Sequence, residues 1–524
     1  MKMFPTASIK RIDAYTIENE PIPSLLLMER AASVLTKAIR RHFSGSSFAI
    51  FAGAGNNGGD ALAVARMLAV AGCKVDVWLV AHGARLSPDC VANRESLQAM
   101  TCGLMPVTLN IVEEAFTAPF LAADTIIIDG LFDSGLNRPV TGLAAEVIHY
   151  INSLPNKVVA IDIPSGLMGE DNGCNIPENI IRASLTLTLQ FPKLAMLFAE
   201  NAPYVGRFEV LDINLSREAM QLEPSSYSIT TACDVASLVE KRAKHAHKGN
   251  FGKMLLVAGS EGMAGASVLA ARAALRSGVG LLTIALPAGN NDILQRTVPE
   301  AMTLPDVCTT HISIAVDTAR YTAVAVGPGL AQHPETEAAL LQLIERCTAP
   351  MVVDADALNI LSRNKEYLSR LPQGSVITPH IGEFERLVGK CGSSFERLQR
   401  AVELARENNI CVVLKGAYTA VVTPQGSCSF NSSGNAGMAT GGSGDVLTGV
   451  VAALLARGFA AADAARLGVY VHGAAGDLAA DKMGETALIA SDIVDALPRS
   501  WQNLEALSRP KDGKMYYLCS ENIK

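Results

Sequence analysis

Ser47-Phe-Ala-Ile-Phe-Ala52-Gly53-Ala-Gly55-Asn-Asn-Gly58-Gly-Asp60 passes from a short apolar run through a glycine-rich loop into a helix-forming stretch. An apolar run of this length, closed by glycines, reads as a buried strand. Residues 60–71 read as the helix that follows, stopped by Gly72. Residues 74–80 supply the next strand, and 125–129 and 158–162 two more, each of the last two ending in an aspartate before a glycine-containing loop. Strands alternating with helices imply a parallel sheet with helices on its faces. Ligands of such sheets sit at the carboxyl ends of the strands, where Asp129 and Asp162 fall.

The rhythm weakens after Asp212, in the polar residues up to the basic run 241–248, which reads as a solvated surface. It resumes with strands at 253–258, 281–286, 322–326, 351–354 and 376–378, a helix at 266–277, and a hairpin over 410–414 and 419–422. The expected organisation is an N-terminal α/β domain over 1–215, a linker over 216–232, a second α/β domain over 233–508 and a polar tail over 509–524. A chain of 524 residues with 49% hydrophobic and only 5% aromatic residues fits two such layered domains.

The formal net charge of -7 and pI near 5.8 argue against nucleic acid as a partner. The eleven cysteines are scattered and include no C-x-x-C pair, so they read as reduced core thiols. The apolar stretch 446–456 is interrupted by Arg457 and is too short to span a bilayer. A soluble cytoplasmic protein without a membrane partner is expected, as a homo-oligomer.

Two glycine loops carry the chemistry. The first satisfies G-x-G-x-x-G, a weak signal by itself. A redox Rossmann site would need an acid at the end of the following strand, which instead closes Leu79-Val80-Ala81-His82, while Asp76 lies inside it. Phosphate binding at the helix N-terminus survives that objection. The second loop, Asn435-Ala-Gly-Met-Ala-Thr-Gly-Gly-Ser-Gly-Asp445, opens the apolar helix 446–456. Glycines let backbone N–H groups approach a phosphate, and an aspartate there takes a proton from an attacking hydroxyl. This pattern points to phosphoryl transfer onto a small alcohol.

The motifs are specific enough to carry a resemblance. Leu27-Met-Glu-Arg-Ala-Ala32, Asn56-Asn-Gly-Gly-Asp60, Asp129-Gly-Leu-Phe-Asp-Ser-Gly-Leu-Asn-Arg-Pro139 and Asp162-Ile-Pro-Ser-Gly166 resemble the NAD(P)H-hydrate epimerase domain, of Rossmann-like three-layer fold. His247-Lys-Gly-Asn-Phe-Gly252, Gly327-Pro-Gly329, Thr378-Pro-His-Ile-Gly-Glu-Phe384, Lys415-Gly416 and Gly441-Gly-Ser-Gly-Asp445 resemble NAD(P)H-hydrate dehydratase, of the ribokinase-like α/β superfamily. Together the halves resemble the bifunctional NAD(P)H-hydrate repair enzymes. That resemblance implies epimerisation of the R and S forms of NADH or NADPH hydrated across C5–C6. It also implies dehydration of the S form with ADP, giving AMP and phosphate.

By the same resemblance Asn56, Asn57, Gly58, Gly59 and Asp60 contact the epimerase substrate. The loop of Asp133, Ser134, Gly135, Leu136, Asn137, Arg138 and Pro139 holds its phosphate region, and Asp162 is the acid/base. Asn57, Asp129 and Ser165 match potassium ligands. In the second half Ala266, Gly329, His380 and Asp445 match positions that contact the hydrated cofactor, with Asp445 the catalytic base. Lys415, Gly416, Ala417, Tyr418, Thr419 and Gly444 match nucleotide-binding positions, and Mg²⁺ bound with ADP has Glu383 as an indirect ligand. Without the resemblance, a strand-end aspartate commonly caps a loop and a lone histidine such as His380 is commonly structural.

The chain departs from the family at Asp133, where glycine is usual; an inward carboxylate would repel a phosphate. Ile381 replaces a proline, Ser443 a threonine, and Arg30 and Ala32 stand for Asn and Gly. The competing reading is a ribokinase-like kinase of a vitamin-precursor alcohol carrying an N-terminal binding module.

Overall fold

Along the strand Phe48–Ala52, Phe48, Ile50 and Ala52 enter one apolar core while Ala49 and Phe51 enter another. This period of two is what a strand buried on both faces requires. The computed structural model describes residues 1–81, 83, 85–101, 103 and 105–508 and divides into two units, Lys2–Ser225 and a second beginning at Ser226. His82 and the expected tail 509–524 lie outside the described residues.

The N-terminal sheet has seven strands in the order Val107–Val112, Val75–Val80, Phe48–Ala52, Ile126–Gly130, Val158–Ile161, Leu185–Leu189, Arg207–Leu211, all parallel. One face is covered by the helices Ser24–His42 and Asn56–Val70, the other by Leu143–Ser153, giving three layers. Phe51 stacks on Trp78, ring centroids 5.1 Å apart, in the second core. The strand order reverses between Phe48–Ala52 and Ile126–Gly130. That switch point places Gly53, Asp129 and Gly130 at the mouth of a crevice.

The second unit orders its strands Tyr227–Thr230, Cys428–Asn431, Ala420–Val422, Cys411–Leu414, Val376–Ile377, Met351–Val353, Ala323–Val326, Lys253–Val257, Leu281–Leu286, Met302–Pro305. Cys411–Leu414, Ala420–Val422 and Cys428–Asn431 pair antiparallel and the rest parallel. One face packs on the helices Ala264–Arg276, Ser443–Ala456, Ala461–Met483 and Ala490–Leu507. Small residues permit this: a Cβ on Gly449 would lie 2.1 Å from the Ala270 carbonyl oxygen.

Residues 216–232, read from composition as a linker, contain the helix Arg217–Leu222 and the strand Tyr227–Thr230. That strand is defined by pairing with Cys428–Asn431, a partner two hundred residues away that local composition cannot reveal. Eight described cysteines are free thiols, whereas Cys233 is disulfide-bonded, against the expectation of uniformly reduced thiols. No described helix is long and apolar enough to cross a membrane.

Candidate active sites

The helix after the first glycine loop starts at Asn56, not Asp60. Two asparagines and two glycines are poor helix formers, so local propensity places the start too late. Tertiary packing overrides it, since a Cβ on Gly58 would lie 1.8 Å from the Gly53 carbonyl oxygen. Gly58 therefore serves close packing. Asn56, Asn57, Gly59 and Asp60 share its first turns, and Gly55, extended before them, has open space where a Cβ would stand.

Asn57, Asp129 and Ser165 lie close together. Asn57 Nδ2 donates to the carbonyls of Phe132 (2.7 Å) and Ile161 (3.3 Å). Asp129 accepts the N–H of Ser165 (2.8 Å) on Oδ2 and that of Leu131 (3.2 Å) on Oδ1. Ser165 Oγ accepts the Phe132 N–H at 2.9 Å. Asp129 is fully buried and has no cationic side-chain partner among the described residues. Burial pushes its carboxyl up to about 6, against the hydrogen bonds from Ser165 and Leu131.

Asp162 sits just past the strand Val158–Ile161 in the left-handed region, φ 65°. Such backbone in a non-glycine residue is held only where the surroundings enforce it. Here Asp162 Oδ1 accepts from Leu189 N (3.0 Å), Thr188 Oγ1 (3.3 Å) and the Lys193 ammonium. Lys193 is 2% exposed and also donates to Thr188 Oγ1 (3.0 Å) and the Phe191 carbonyl (3.2 Å). No motif pointed to Lys193. Burial, then the Asp162 charge, raises Asp13 to about 6. Burial, with Asp162 next, holds Asp60 well above the ordinary carboxylate range, and its Oδ1 has no hydrogen-bond partner. Two carboxyls raised above their ordinary range thus stand near the Asp162–Lys193 ion pair.

In the loop 133–139, Asp133 Oδ1 accepts the Gly135 N–H at 2.8 Å, folding the carboxylate onto its own backbone. Ser134 is buried, Leu136 and Pro139 are half-buried, and Asn137 and Arg138 are exposed. A Cβ on Gly135 would stand 2.8 Å from Lys10 Nζ, so a cation from the helix Thr6–Asn19 reaches this loop. Lys10 was not legible in the sequence.

In the second unit a cavity of about 350 Å³ is lined by Gly262, Met263, Gly265, Ala266, Gly329, Ala355, Asp356, Asn359, Glu383 and Asp445. Ala266, Gly329 and Asp445, grouped by the resemblance, line this one cavity. Asp445 lies in the first turn of Ser443–Ala456. Burial, then the Asp354 charge, pushes it up to about 6, opposed by Lys415. Lys415 Nζ is 2.7 Å from Oδ1 of Asp354, itself 1% exposed, and Thr448 Oγ1 donates to the other Asp354 oxygen at 2.5 Å. A Cβ on Gly444 would lie 3.2 Å from Lys415 Nζ, so the ammonium stands against the helix start.

Gly442 has φ 90° just before that helix, a conformation that favours glycine. Gly416, Ala417 and Tyr418 form the turn between Cys411–Leu414 and Ala420–Val422, and Thr419 Oγ1 closes it onto the Gly416 carbonyl at 3.0 Å. His380 does not line the cavity. It caps the helix Ile381–Val388, its Nδ1 accepting the Gly382 N–H (3.0 Å), while its Nε2 approaches Glu383 Oε1 (3.3 Å). Asp354, Asp356 and Asn359 went unread, although Asp354 carries the same strand-end signal as Asp129 and Asp162.

Comparison with known proteins matches residues 24–195 to the family model described as YjeF-related protein N-terminus and residues 254–499 to NAD(P)H-hydrate dehydratase. The whole chain is similar to the bifunctional NAD(P)H-hydrate repair enzymes of Moorella thermoacetica (38% identity, 96% of this chain and 97% of that protein) and Thermofilum pendens (35%, 96% and 97%). A solved Bacillus subtilis structure, an ADP/ATP-dependent NAD(P)H-hydrate dehydratase co-crystallised with ATP and Mg²⁺, is 31% identical. It covers 53% of this chain and 99% of its own, with a TM-score of 0.47.

Proposed function

The chain belongs to the bifunctional NAD(P)H-hydrate repair enzymes, and from that premise we propose that its N-terminal unit interconverts the R and S hydrates of NADH and NADPH while its C-terminal unit dehydrates the S form with ADP. The observation that supports this is Asp445, lining the cavity from the glycine-flanked start of Ser443–Ala456, with the Lys415 ammonium against that same helix start. Relatives that span both units favour repair over a lone small-alcohol kinase.

Hydroxide is a poor leaving group from C6. Asp445 takes the proton of the C6 hydroxyl as its oxygen attacks the β-phosphorus of ADP, and AMP departs. Lys415 and the N–H groups of the helix start stabilise the charge gathering on the transferred phosphoryl. The ring nitrogen then expels phosphate, and loss of the C5 proton restores the double bond. Asp354 positions Lys415 through their buried ion pair. Magnesium, when bound, neutralises the nucleotide phosphates. The oxygens of Glu383, Asp356 and Asn359 that line the cavity are hard donors suited to holding it through water. In the N-terminal unit Asp162 is the acid/base. Supply of an R/S mixture of hydrated NADH with ADP, Mg²⁺ and K⁺ tests the whole reading. Complete return of dihydronicotinamide absorbance, faster than spontaneous epimerisation allows, is expected; no return with either ADP or ATP sinks the assignment.

Asn57, Asp129 and Ser165 fit a weakly held monovalent cation, because a buried carboxylate without a counter-charge stands among neutral oxygen donors. Potassium, when bound there, supplies that counter-charge. The Asp129 carboxyl is raised in the folded state, so its contribution to stability is present at low pH and is lost as pH rises through about 6. Potassium is therefore expected to raise the melting temperature more above that pH than below it, and the effect should vanish in Asp129→Asn. Equal shifts at both pH values, or with a tetraalkylammonium salt, would count against the site.

Asp133→Gly is expected to leave epimerisation within about threefold of the parent rate, because the carboxylate is already tied to the Gly135 N–H. A large gain in a direct R-to-S assay would mean that Asp133 does repel the substrate.

A further inference from the structure

Away from both sites, the second unit brings the ligand-type side chains of His311, His333 and Glu335 to one place, with Cys308 against His311. Cys308 and His311 follow the strand Met302–Pro305, and His333 and Glu335 flank the start of the helix Pro334–Arg346. His311 Nε2 is 3.0 Å from Glu335 Oε2, and the His311 and His333 rings stack with centroids 3.8 Å apart. Cys308 Sγ lies 3.4 Å from His311 Nδ1 and 3.8 Å from Nε2. One ligand atom each from His311, His333 and Glu335 falls within 4.8 Å of the others. His333 Nδ1 accepts the Glu335 N–H at 3.3 Å, which leaves Nε2 as the nitrogen available to a ligand.

The two segments are held in place independently of this cluster. Asp306 accepts the N–H groups of Cys308 (2.8 Å) and Ser313 (2.9 Å), and Thr336 Oγ1 donates to the Ile312 carbonyl at 2.8 Å. Two imidazoles, a cysteine sulfur and a carboxylate form a borderline-soft set. Such a set suits zinc-class ions and is a poor match for magnesium or potassium.

We propose that His311, His333 and Glu335, joined by the Cys308 sulfur that lies against His311, form a structural site for a zinc-class divalent transition metal. Bound there, the metal braces the wall of the dehydratase cavity from both sides. The Thr310 carbonyl accepts the Glu261 N–H (2.7 Å) beside the cavity residues Gly262 and Met263, and the Ala331 N–H is held by the cavity residue Asp356 (2.9 Å).

The test uses the full-length, untagged, metal-stripped protein and reads binding, not activity, so it stands whether or not the repair reading holds. Titration with Co²⁺ is expected to saturate at about one equivalent, with the intense d–d bands of a four-coordinate site and a thiolate charge-transfer band, both displaced by Zn²⁺. Cys308→Ser should remove the charge-transfer band, and His311→Ala or His333→Ala the intense d–d bands. Zn²⁺ should raise the melting temperature of the parent and not of the histidine variants. The weak spectrum of six-coordinate Co²⁺ in the parent, a missing charge-transfer band, or binding unchanged in His311→Ala or His333→Ala overturns the proposal.

Discussion

Asp445→Asn is expected to lower the turnover of dehydration by about 10²–10⁴-fold while epimerisation continues at the parent rate. The substitution keeps the shape of the side chain in the first turn of Ser443–Ala456 and removes its ability to take a proton. Lys415 and Gly444, proposed above to meet the nucleotide, are untouched, so the Michaelis constant for ADP should change far less than turnover. The parent enzyme supplies a second readout. Burial and the Asp354 charge raise Asp445 to about 6, and only its ionised form acts as base. Dehydration should therefore fall as pH drops through about 6 and level off above it. The residual activity of the asparagine variant should lack that limb. A variant within a few-fold of the parent, or one retaining the same limb, would remove Asp445 from the chemistry and leave the helix start as an anion cradle only.

The reason Asp445 was legible and Lys193 was not lies in how far each signal reaches along the chain. Asp445 closes a glycine run that opens a helix, so its surroundings are written in adjacent residues. Lys193 gains its meaning from Asp162, thirty-one residues earlier and across the strand Leu185–Leu189. The central strands of the N-terminal sheet are continuous apolar runs and read directly. Val107–Val112 at one edge alternates with exposed polar residues, and Leu185–Leu189 buries Thr186 and Thr188, whose hydroxyls are satisfied by Val205 and Phe191 carbonyls. Neither pattern stands out from a loop. Asp354 shows a different failure: its strand was read, and its aspartate follows the rule applied at Asp129 and Asp162, yet its partner Lys415 is supplied by a distant hairpin. His380 matches a family position and also caps a helix through Nδ1, a local role that a histidine followed by a helix start could suggest without any family.

Asp162→Asn is expected to reduce epimerisation by about 10²–10⁴-fold, measured as conversion of R-enriched hydrate in an Asp445→Asn background where dehydration does not drain the S form. Among the described residues, all the hydrogen bonds to the Asp162 carboxylate fall on Oδ1, from Leu189, Thr188 and Lys193, so Oδ2 is the oxygen left to meet a substrate proton. An amide preserves those contacts and cannot accept that proton. Lys193 is the harder residue to test. It is 2% exposed, and removing it alone strands the Asp162 charge, a change that costs about 3–5 kcal/mol in buried pairs. Lys193→Met should therefore lose stability as well as activity. The double variant Asp162→Asn, Lys193→Met removes both charges together. It should recover much of that stability and be no less active than Asp162→Asn alone, because lysine acts on the reaction only through the carboxylate it holds. A further large loss of turnover in the double variant, at matched melting temperature, would instead place the Lys193 ammonium on the substrate as a proton donor in its own right.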